Sequence, residues 1–381
     1  MADRPILLVA GEYPPDVGGV ADYTAHLRDA LRTRGRRVRV LARAQVAAPD
    51  DPSIYRRVRR WNALGVRQIV KAVRSRSIVH IQYQAAAFDL LGDICLAPLI
   101  LRALRPGVRV TTTFHDARVP YVFPKAGPVR PLSIRVMAQA SHAVVAADGA
   151  DLRALGGPSP RHNCVPIGSN VPCHPPAGYD RAAFRAGLGL DPNSIVVAYF
   201  GLLNASKGLD TLLDAFHLIE QEHPNAWLLL LGGAVGVSDP TDRKTAAAFE
   251  RRLRSTTDHV LRPGYADAEL LSAYLLAADL AVLPYADGAS GRRGSLLACA
   301  EHGLPIVSTT GPGLTTSALD LDDALLAVAP GDPRQLAQAT LRVVTDPIMR
   351  DRLRAGSACV ARRASWSAIA DQHLAIYSGL T

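Results

Sequence analysis

The apolar residues of the chain fall into short unbroken runs separated by stretches of helical periodicity, and this alternation is repeated in two halves. The first half opens with Ile6-Leu7-Leu8-Val9-Ala10, apolar on both faces as a buried parallel strand requires. A glycine-bearing loop, Gly11 to Gly19, leads to a predicted helix with Val20, Thr24, Leu27 and Leu31 on one stripe, closed by Gly35. Val38 to Ala42, Ile78 to Ile81, Val108 to Phe114 and Ala143 to Ala147 read as further strands alternating with helical patterns. Val171 to Gly178, carrying Pro172, Pro175 and Pro176, is the predicted linker. The second half repeats the opening: a strand from Ile195 to Phe200, Gly201, then Lys207-Gly208 and a helix with Leu209, Leu212, Leu213, Phe216 and Ile219 on one face. Trp227 to Leu231, Leu280 to Leu283 and Pro305 to Thr309 follow as parallel strands ending in turn residues.

Composition narrows the class. A chain of 381 residues supports roughly two or three cores at about 100 to 200 residues per domain. With 48% hydrophobic and 20% charged residues it is neither disordered nor fibrous, and a soluble globular protein is expected. No apolar stretch is long and clean enough to span a bilayer, and Met1-Ala2-Asp3-Arg4 runs straight into a strand without a cleavable signal, so a cytoplasmic location is expected. Five scattered cysteines without a C-x-x-C pair argue for reduced thiols. The net charge of +9 fits nucleic acid, anionic lipid or an acidic small molecule, and does not choose among them. Only four of the 43 basic residues are lysines, so the arginine abundance reads as compositional and a lysine is the more informative cation.

Two facing α/β domains would hold a ligand at the carboxyl ends of both sheets. The glycine loops stand at those ends. Gly18-Gly19 lets backbone amides approach a ligand and aims a helix N-terminus at a negative group, although a tight turn without ligand has the same sequence. Lys207, between a strand and a helix, suits a diphosphate or simply solvent. His115, at the end of the run Thr111 to Phe114, is either a contact for a sugar hydroxyl or a buried structural histidine. Ser290-Gly-Arg292-Arg293-Gly294-Ser295, before a predicted helix from Leu296 to His302, gathers a hydroxyl, two guanidiniums and free helix amides, which suits phosphate. Asp320, Asp322 and Asp323 have a D-x-D spacing but lie among turn residues, and no metal site is expected. The chain has no G-x-G-x-x-G after its first strand, no Walker motif and no G-x-S-x-G elbow, which weighs against a dehydrogenase, a P-loop NTPase and an α/β-hydrolase.

Taken in order, these segments resemble the retaining glycosyltransferases of family 4. Tyr13 to Tyr23 with Leu27 is similar to that family's opening loop and helix, and Thr113-Phe-His115-Asp116 to its histidine motif. Val165-Pro-Ile-Gly-Ser-Asn170 resembles the segment before the interdomain crossing, Gly201 to Gly208 the phosphate loop, and Arg262-Pro-Gly264-Tyr265 with Ala278 to Pro284 the surroundings of the nucleotide pocket. The pattern is departed from twice. Leu202 stands where the family has an arginine, and Ser290 and Ala298 stand where it has a pair of glutamates that touch the donor sugar and ribose. Arg292 and Arg293 are the candidate replacements for the missing cation.

The resemblance implies a GT-B fold of two Rossmann-like, doubly wound parallel-sheet domains facing a central cleft. One domain is expected over residues 1–172 and the other over 180–362, with residues 363–381 crossing back through a helix that carries Trp366, Ile369, His373 and Ile376. The implied activity is transfer of a sugar, with retention, from a nucleotide diphosphate sugar to a glycan, lipid-linked or small-molecule acceptor. Neither cofactor nor metal is expected, and nucleic acid is not an expected partner. In that reading His115 is catalytic. Gly18, Gly19, Lys207, Arg292, Arg293 and Ser295 hold the diphosphate, Gly201, Gly264 and Tyr265 form the nucleotide pocket, and Ser290 and Leu296 lie by the donor sugar and ribose. The alternatives are a silent GT-B protein that binds a sugar nucleotide or glycan, and a nucleotide-sugar epimerase. Finally, Arg56-Arg57-Val58-Arg59-Arg60-Trp61 precedes a predicted helix with Val66, Ile69, Val70 and Val73 on one side, so peripheral contact with an anionic membrane is expected if that side is not core.

Overall fold

The computed structural model describes residues 4–16, 18–44, 51–117, 129–157, 159–232, 240–264 and 266–380. The chain divides into two compact units, Met1–Gly168 with Trp366–Thr381, and Ser169–Ser365. The first unit contains seven strands: β1 (Ile6–Ala10), β2 (Val38–Arg43), β3 (Ile54–Val58), β4 (Ile78–Tyr83), β5 (Arg109–Phe114), β6 (Ala143–Ala146) and β7 (His162–Cys164). They form one parallel sheet in the order β3-β2-β1-β4-β5-β6-β7. Alternation along each strand makes two cores. Leu7, Val9, Val79, Ile81, Val110 and Phe114 face one, under the helix Ala63–Ala72. Ile6, Leu8, Val38, Val40 and Ile78 face the other, covered by Leu27 and Leu31 of the helix Gly19–Thr33 and by Ile369, Ala370 and Tyr377 of the last helix.

The last helix packs tightly on this unit where the chain leaves it. A Cβ at Gly168 would lie 2.6 Å from the Trp366 indole, so the chain leaves the unit and re-enters it at one packed point. Arg34 then fastens the helix from outside, donating to Asp371 at 2.7 and 2.8 Å.

The arginine-rich segment folds differently from the membrane-facing reading. Ile54–Val58, which holds Arg56 and Arg57 ahead of the helix, is an edge strand, with Arg39 donating to the Tyr55 hydroxyl at 2.9 Å. In the helix Ala63–Ala72, capped by the Asn62 side chain, the apolar side is core: Trp61, Val66, Ile69 and Val73 are buried. That side offers nothing to a lipid surface, which removes the amphipathic face on which membrane contact was expected. Among the described residues no helix is long and apolar enough to cross a membrane.

The second unit contains β8 (Ile195–Phe200), β9 (Ala226–Leu231), β10 (Val260–Leu261), β11 (Leu280–Leu283), β12 (Ile306–Thr309) and β13 (Leu325–Val328). They too form a parallel sheet, in the order β10-β9-β8-β11-β12-β13. At the amino ends of its central strands Asp279 ties three elements together. It accepts from Arg181 at 2.6 Å, from Arg185 at 3.1 Å and from the Val196 amide at 2.8 Å. Arg185 is buried and also donates to the carbonyls of Ala277 and Ser194. Replacing Asp279 by Ala leaves a buried guanidinium without its counter-charge, so a loss of about 3 kcal/mol is expected in urea unfolding. A loss below about 1 kcal/mol, the range of an exposed pair, would show that Asp279 is not the tie.

Candidate functional site

In each unit the chain winds away from its first strand in one direction and then in the other, so the strand order reverses between β1 and β4 and between β8 and β11. The carboxyl ends beside these reversals are open to a ligand because consecutive connections leave them on opposite sides. Both sets of candidate residues lie there.

In the second unit, β8 ends at Gly201 and β11 at Pro284-Tyr285. A short turn, Ala205–Lys207, and the left-handed Gly208 bring the chain against β11 before the helix Leu209–Glu222 begins. Gly208 is required twice, by φ +64° and because a Cβ there would meet the Pro284 carbonyl oxygen at 1.8 Å. The turn is pinned by the Ala286 amide donating to the Ser206 carbonyl at 3.0 Å. Lys207 Nζ consequently sits 5.0 Å from the centre of the Tyr285 ring, and the Arg293 guanidinium sits 4.6 Å from the same ring. Burial, and then the charge of Arg293, push the Lys207 ammonium down to about 8. Arg293 also pairs with Asp287. The helix Gly294–Glu301 starts beside them, with Ser295 Oγ 2.7 Å from the Tyr285 hydroxyl. A Cβ at Gly201 would lie 3.9 Å from that Ser295 Oγ. Two crowded cations, a helix N-terminus and a hydroxyl at one strand end make a place where an anion relieves repulsion.

In the first unit, the helix Gly19–Thr33 begins where the Asp22 amide donates to the Gly18 carbonyl at 3.0 Å, so the amides of residues 19–21 have no intrahelical acceptor. The carboxyl of Glu12 lies beside Gly18, and burial, followed by Asp16, holds it above the usual carboxylate range. His115 follows β5. Its Nε2 is 2.9 Å from Gln82 Oε1, and the Tyr23 ring meets it edge-on at 4.7 Å. Behind it His80 lies 2.6 Å from the Tyr377 hydroxyl and 2.7 Å from Thr113 Oγ1, while Tyr23 lies 2.9 Å from His373. His80 and His373 are buried and His115 is half-buried at the strand end, and desolvation lowers all three: His115 to about 4, His373 to about 3 and His80 well below its ordinary value.

The structure thus gathers Lys207, Arg293, Ser295 and Gly201 in one place, with Arg292 half-buried on the same turn. Ser290 is buried, packed where a Cβ at Gly313 would come within 2.3 Å of its own Cβ. Gly264 has φ +77° and open space around it, and Tyr265 lies outside the described residues. Leu296 is a correction. Its side chain is wholly buried in the core, and what it offers at the site is its backbone N–H, taken by the Tyr285 hydroxyl. Ala298, at the second glutamate position, is also wholly buried. Asp320 accepts from the Asp322 amide at 3.4 Å within a turn, and both are exposed. Tyr285, Gln82, His80 and Tyr23 were not singled out by sequence. His80 and Gln82 did carry a signal: polar residues inside a strand whose other positions are apolar must find partners when buried.

The three neutral histidines have a consequence for stability. Unfolded, they bind protons near pH 6.5, whereas the native core refuses them until about pH 4 or lower, so the unfolded state holds more protons between these values and stability falls as pH drops. Each contributes up to about 1.4 kcal/mol per pH unit. Urea unfolding at pH 7, 6 and 5 should show a loss steeper than one proton's worth per unit. A flat profile over that window would contradict their desolvation.

Comparisons with known proteins agree with this geometry. Residues 194–346 match the family model of the glycosyl transferases group 1. A D-inositol 3-phosphate glycosyltransferase of Xylanimonas cellulosilytica is 30% identical over 253 residues, 64% of this chain and 58% of the relative. Across several such relatives the chain spans about half of their length. A GDP-mannose-dependent monoacylated alpha-(1-6)-phosphatidylinositol monomannoside mannosyltransferase of Corynebacterium glutamicum is 24% identical over 97% of both chains. Among solved structures, Anabaena HepE in complex with UDP superposes with a TM-score of 0.72 at 18% identity, covering 99% of this chain and 100% of that one. Two parallel-sheet units of this build constitute the GT-B fold, and the segment 194–346 is similar to the glycosyl transferases group 1.

Proposed function

We propose that the chain is a retaining, metal-independent glycosyltransferase that moves a sugar from a nucleotide diphosphate sugar to a hydroxyl of a glycan, lipid-linked or small-molecule acceptor. The observation that carries this reading is the pair Lys207 and Arg293 on the face of Tyr285, beside the first turn of Gly294–Glu301, inside the segment that matches the family. As the bond from the sugar's anomeric carbon to the phosphate oxygen breaks, charge grows on the departing diphosphate. Cations and helix amides fixed there bind the transition state more tightly than the ground state, which is the role Mg²⁺ fills elsewhere. The acceptor oxygen then bonds to the anomeric carbon, and its proton passes to the departing phosphate. No carboxylate of this chain is nominated as a nucleophile. Retention therefore rests on same-face attack assisted by the leaving group. In the first unit, neutral His115 and the helix start at Gly19 are the groups available to the transferred sugar and to an acceptor.

The relatives that match are glycosyltransferases of inositol phosphate and mannosyltransferases of a phosphatidylinositol mannoside, and HepE holds UDP. These names support a nucleotide sugar donor. They leave the base, the sugar and the acceptor to experiment. A second reading, a silent protein that binds the sugar nucleotide, is favoured by one observation: neither buried Ser290 nor Ala298 brings the carboxylate that the family places there.

Incubation with a panel of nucleotide sugars and acceptors in EDTA should release nucleoside diphosphate in step with glycoside formation. Release that requires added metal counts against the metal-free part, and saturable binding without turnover favours the second reading. Lys207→Ala and Arg293→Ala should each lower kcat by about 10²-fold or more, the range seen when one transition-state donor is removed. Unchanged rates would dissociate this cluster from the reaction. The Lys207 ammonium also sets a pH limit. Only its protonated form attracts the diphosphate, so nucleoside diphosphate affinity should fall above about pH 8, by up to about tenfold per unit, and Lys207→Arg should remove that fall.

A further inference from the structure

A parallel sheet covered on both faces is expected to be apolar throughout, yet β4 places His80 and Gln82 in its interior, both buried and both on the side facing the last helix. Gln82 stands in register with Thr113 of β5, and His115 follows two residues later. The three side chains form a line. Gln82 Oε1 lies 2.9 Å from His115 Nε2, and Gln82 Nε2 lies 3.2 Å from His80 Nε2. His80 Nε2 is also 2.7 Å from Thr113 Oγ1, and its Nδ1 is 2.6 Å from the Tyr377 hydroxyl of the last helix.

An amide oxygen only accepts and an amide nitrogen only donates, so the Gln82 amide as placed sets the protons along this line. His115 must donate from Nε2 to the Gln82 oxygen. His80 must accept at Nε2 from the Gln82 nitrogen, so its single proton sits on Nδ1 and is donated to Tyr377. Turning the amide over would reverse both assignments together, so the two imidazoles carry opposite tautomers in either orientation. Because desolvation keeps both rings neutral, a choice of tautomer is the only freedom they have. Among the described residues no hydrogen bond reaches His115 Nδ1, while Tyr23 holds the ring from the side.

The geometry points to Gln82 as a positioning residue that couples the tautomers of His115 and His80 and leaves His115 Nδ1 as a hydrogen-bond acceptor for a hydroxyl of the transferred sugar; its last clause rests on the glycosyl-transfer reading. An acceptor nitrogen selects a group that carries a proton. It discriminates against a deoxy or O-methylated sugar at that position and gives nothing to a phosphate oxygen, which has no proton to donate at neutral pH.

The test reads the protons directly. Nitrogen-15 NMR of the full chain labelled at histidine, at pH 7, should show His115 protonated at Nε2 and His80 at Nδ1. The same nitrogen protonated on both rings, or a proton on His115 Nδ1, overturns the proposal. Gln82→Glu presents acceptors to both rings and should move the His80 proton to Nε2, whereas an unmoved His80 proton overturns the coupling. Gln82→Leu removes the restraint on His115. It should lower kcat/KM by about 10 to 100-fold, the scale of a misplaced catalytic contact, with affinity for a nucleoside diphosphate kept within about twofold. A parallel loss of diphosphate affinity would assign Gln82 a merely structural role. If the wild-type tautomers are as stated but no nucleotide sugar is turned over, the coupling stands and the glycosyl-transfer reading, with the sugar contact built on it, falls.

Discussion

Burial of both faces of a parallel sheet is the constraint from which the rest of this structure follows. Side chains in the body of such a strand meet only other side chains, so charge and free hydrogen-bonding groups are confined to the strand ends. Winding the chain both ways from β1 and from β8 then opens one of those ends in each unit. The candidate chemistry of the chain is accordingly found after β5, β8 and β11, and the ion pairs of Asp279 with Arg181 and Arg185 at the opposite ends.

Within the second unit, backbone geometry decides where charge stands. Gly208 lets the turn after β8 press on the Pro284 carbonyl, and a Cβ at Gly232 would meet the Gly201 carbonyl oxygen at 2.4 Å. Beside these close approaches Lys207 lies over the Tyr285 ring, and Arg293 lies over the same ring. The ring offers both cations a polarisable face but no negative charge, and Asp287 pairs directly with Arg293. The Lys207 ammonium is depressed first by its burial there and then by the charge of Arg293.

Much of this could be read from the sequence. β1, β6, β8, β9 and β11 are apolar runs and β2, β4, β5 and β12 are largely so, and the positions of Lys207 and His115 at strand ends follow from them. β3 escaped because an edge strand needs only one covered side and tolerates Arg56 and Arg57, while β7 and β10 are too short to show a period. The Leu296 misplacement has a different cause. A helix N-terminus offers amides to a ligand, but its side chains point wherever the helix packs, and Leu296 points into the core. Tyr285 was missed because its part depends on two cations brought together by loops, which no local pattern records.

The polar line from His115 to Tyr377 gives the last helix a second role. Ile369 and Ala370 cover the sheet as apolar residues of matching volume would. His373 and Tyr377 behave otherwise, because the buried imidazole of His80 needs a partner for its Nδ1 proton and the Tyr23 hydroxyl needs one in His373 Nε2. An apolar helix would leave these groups unsatisfied, so the register of the last helix on the sheet is fixed by hydrogen bonds as well as by packing. That register sets the orientation of His80, and through Gln82 the orientation of His115 at the strand end.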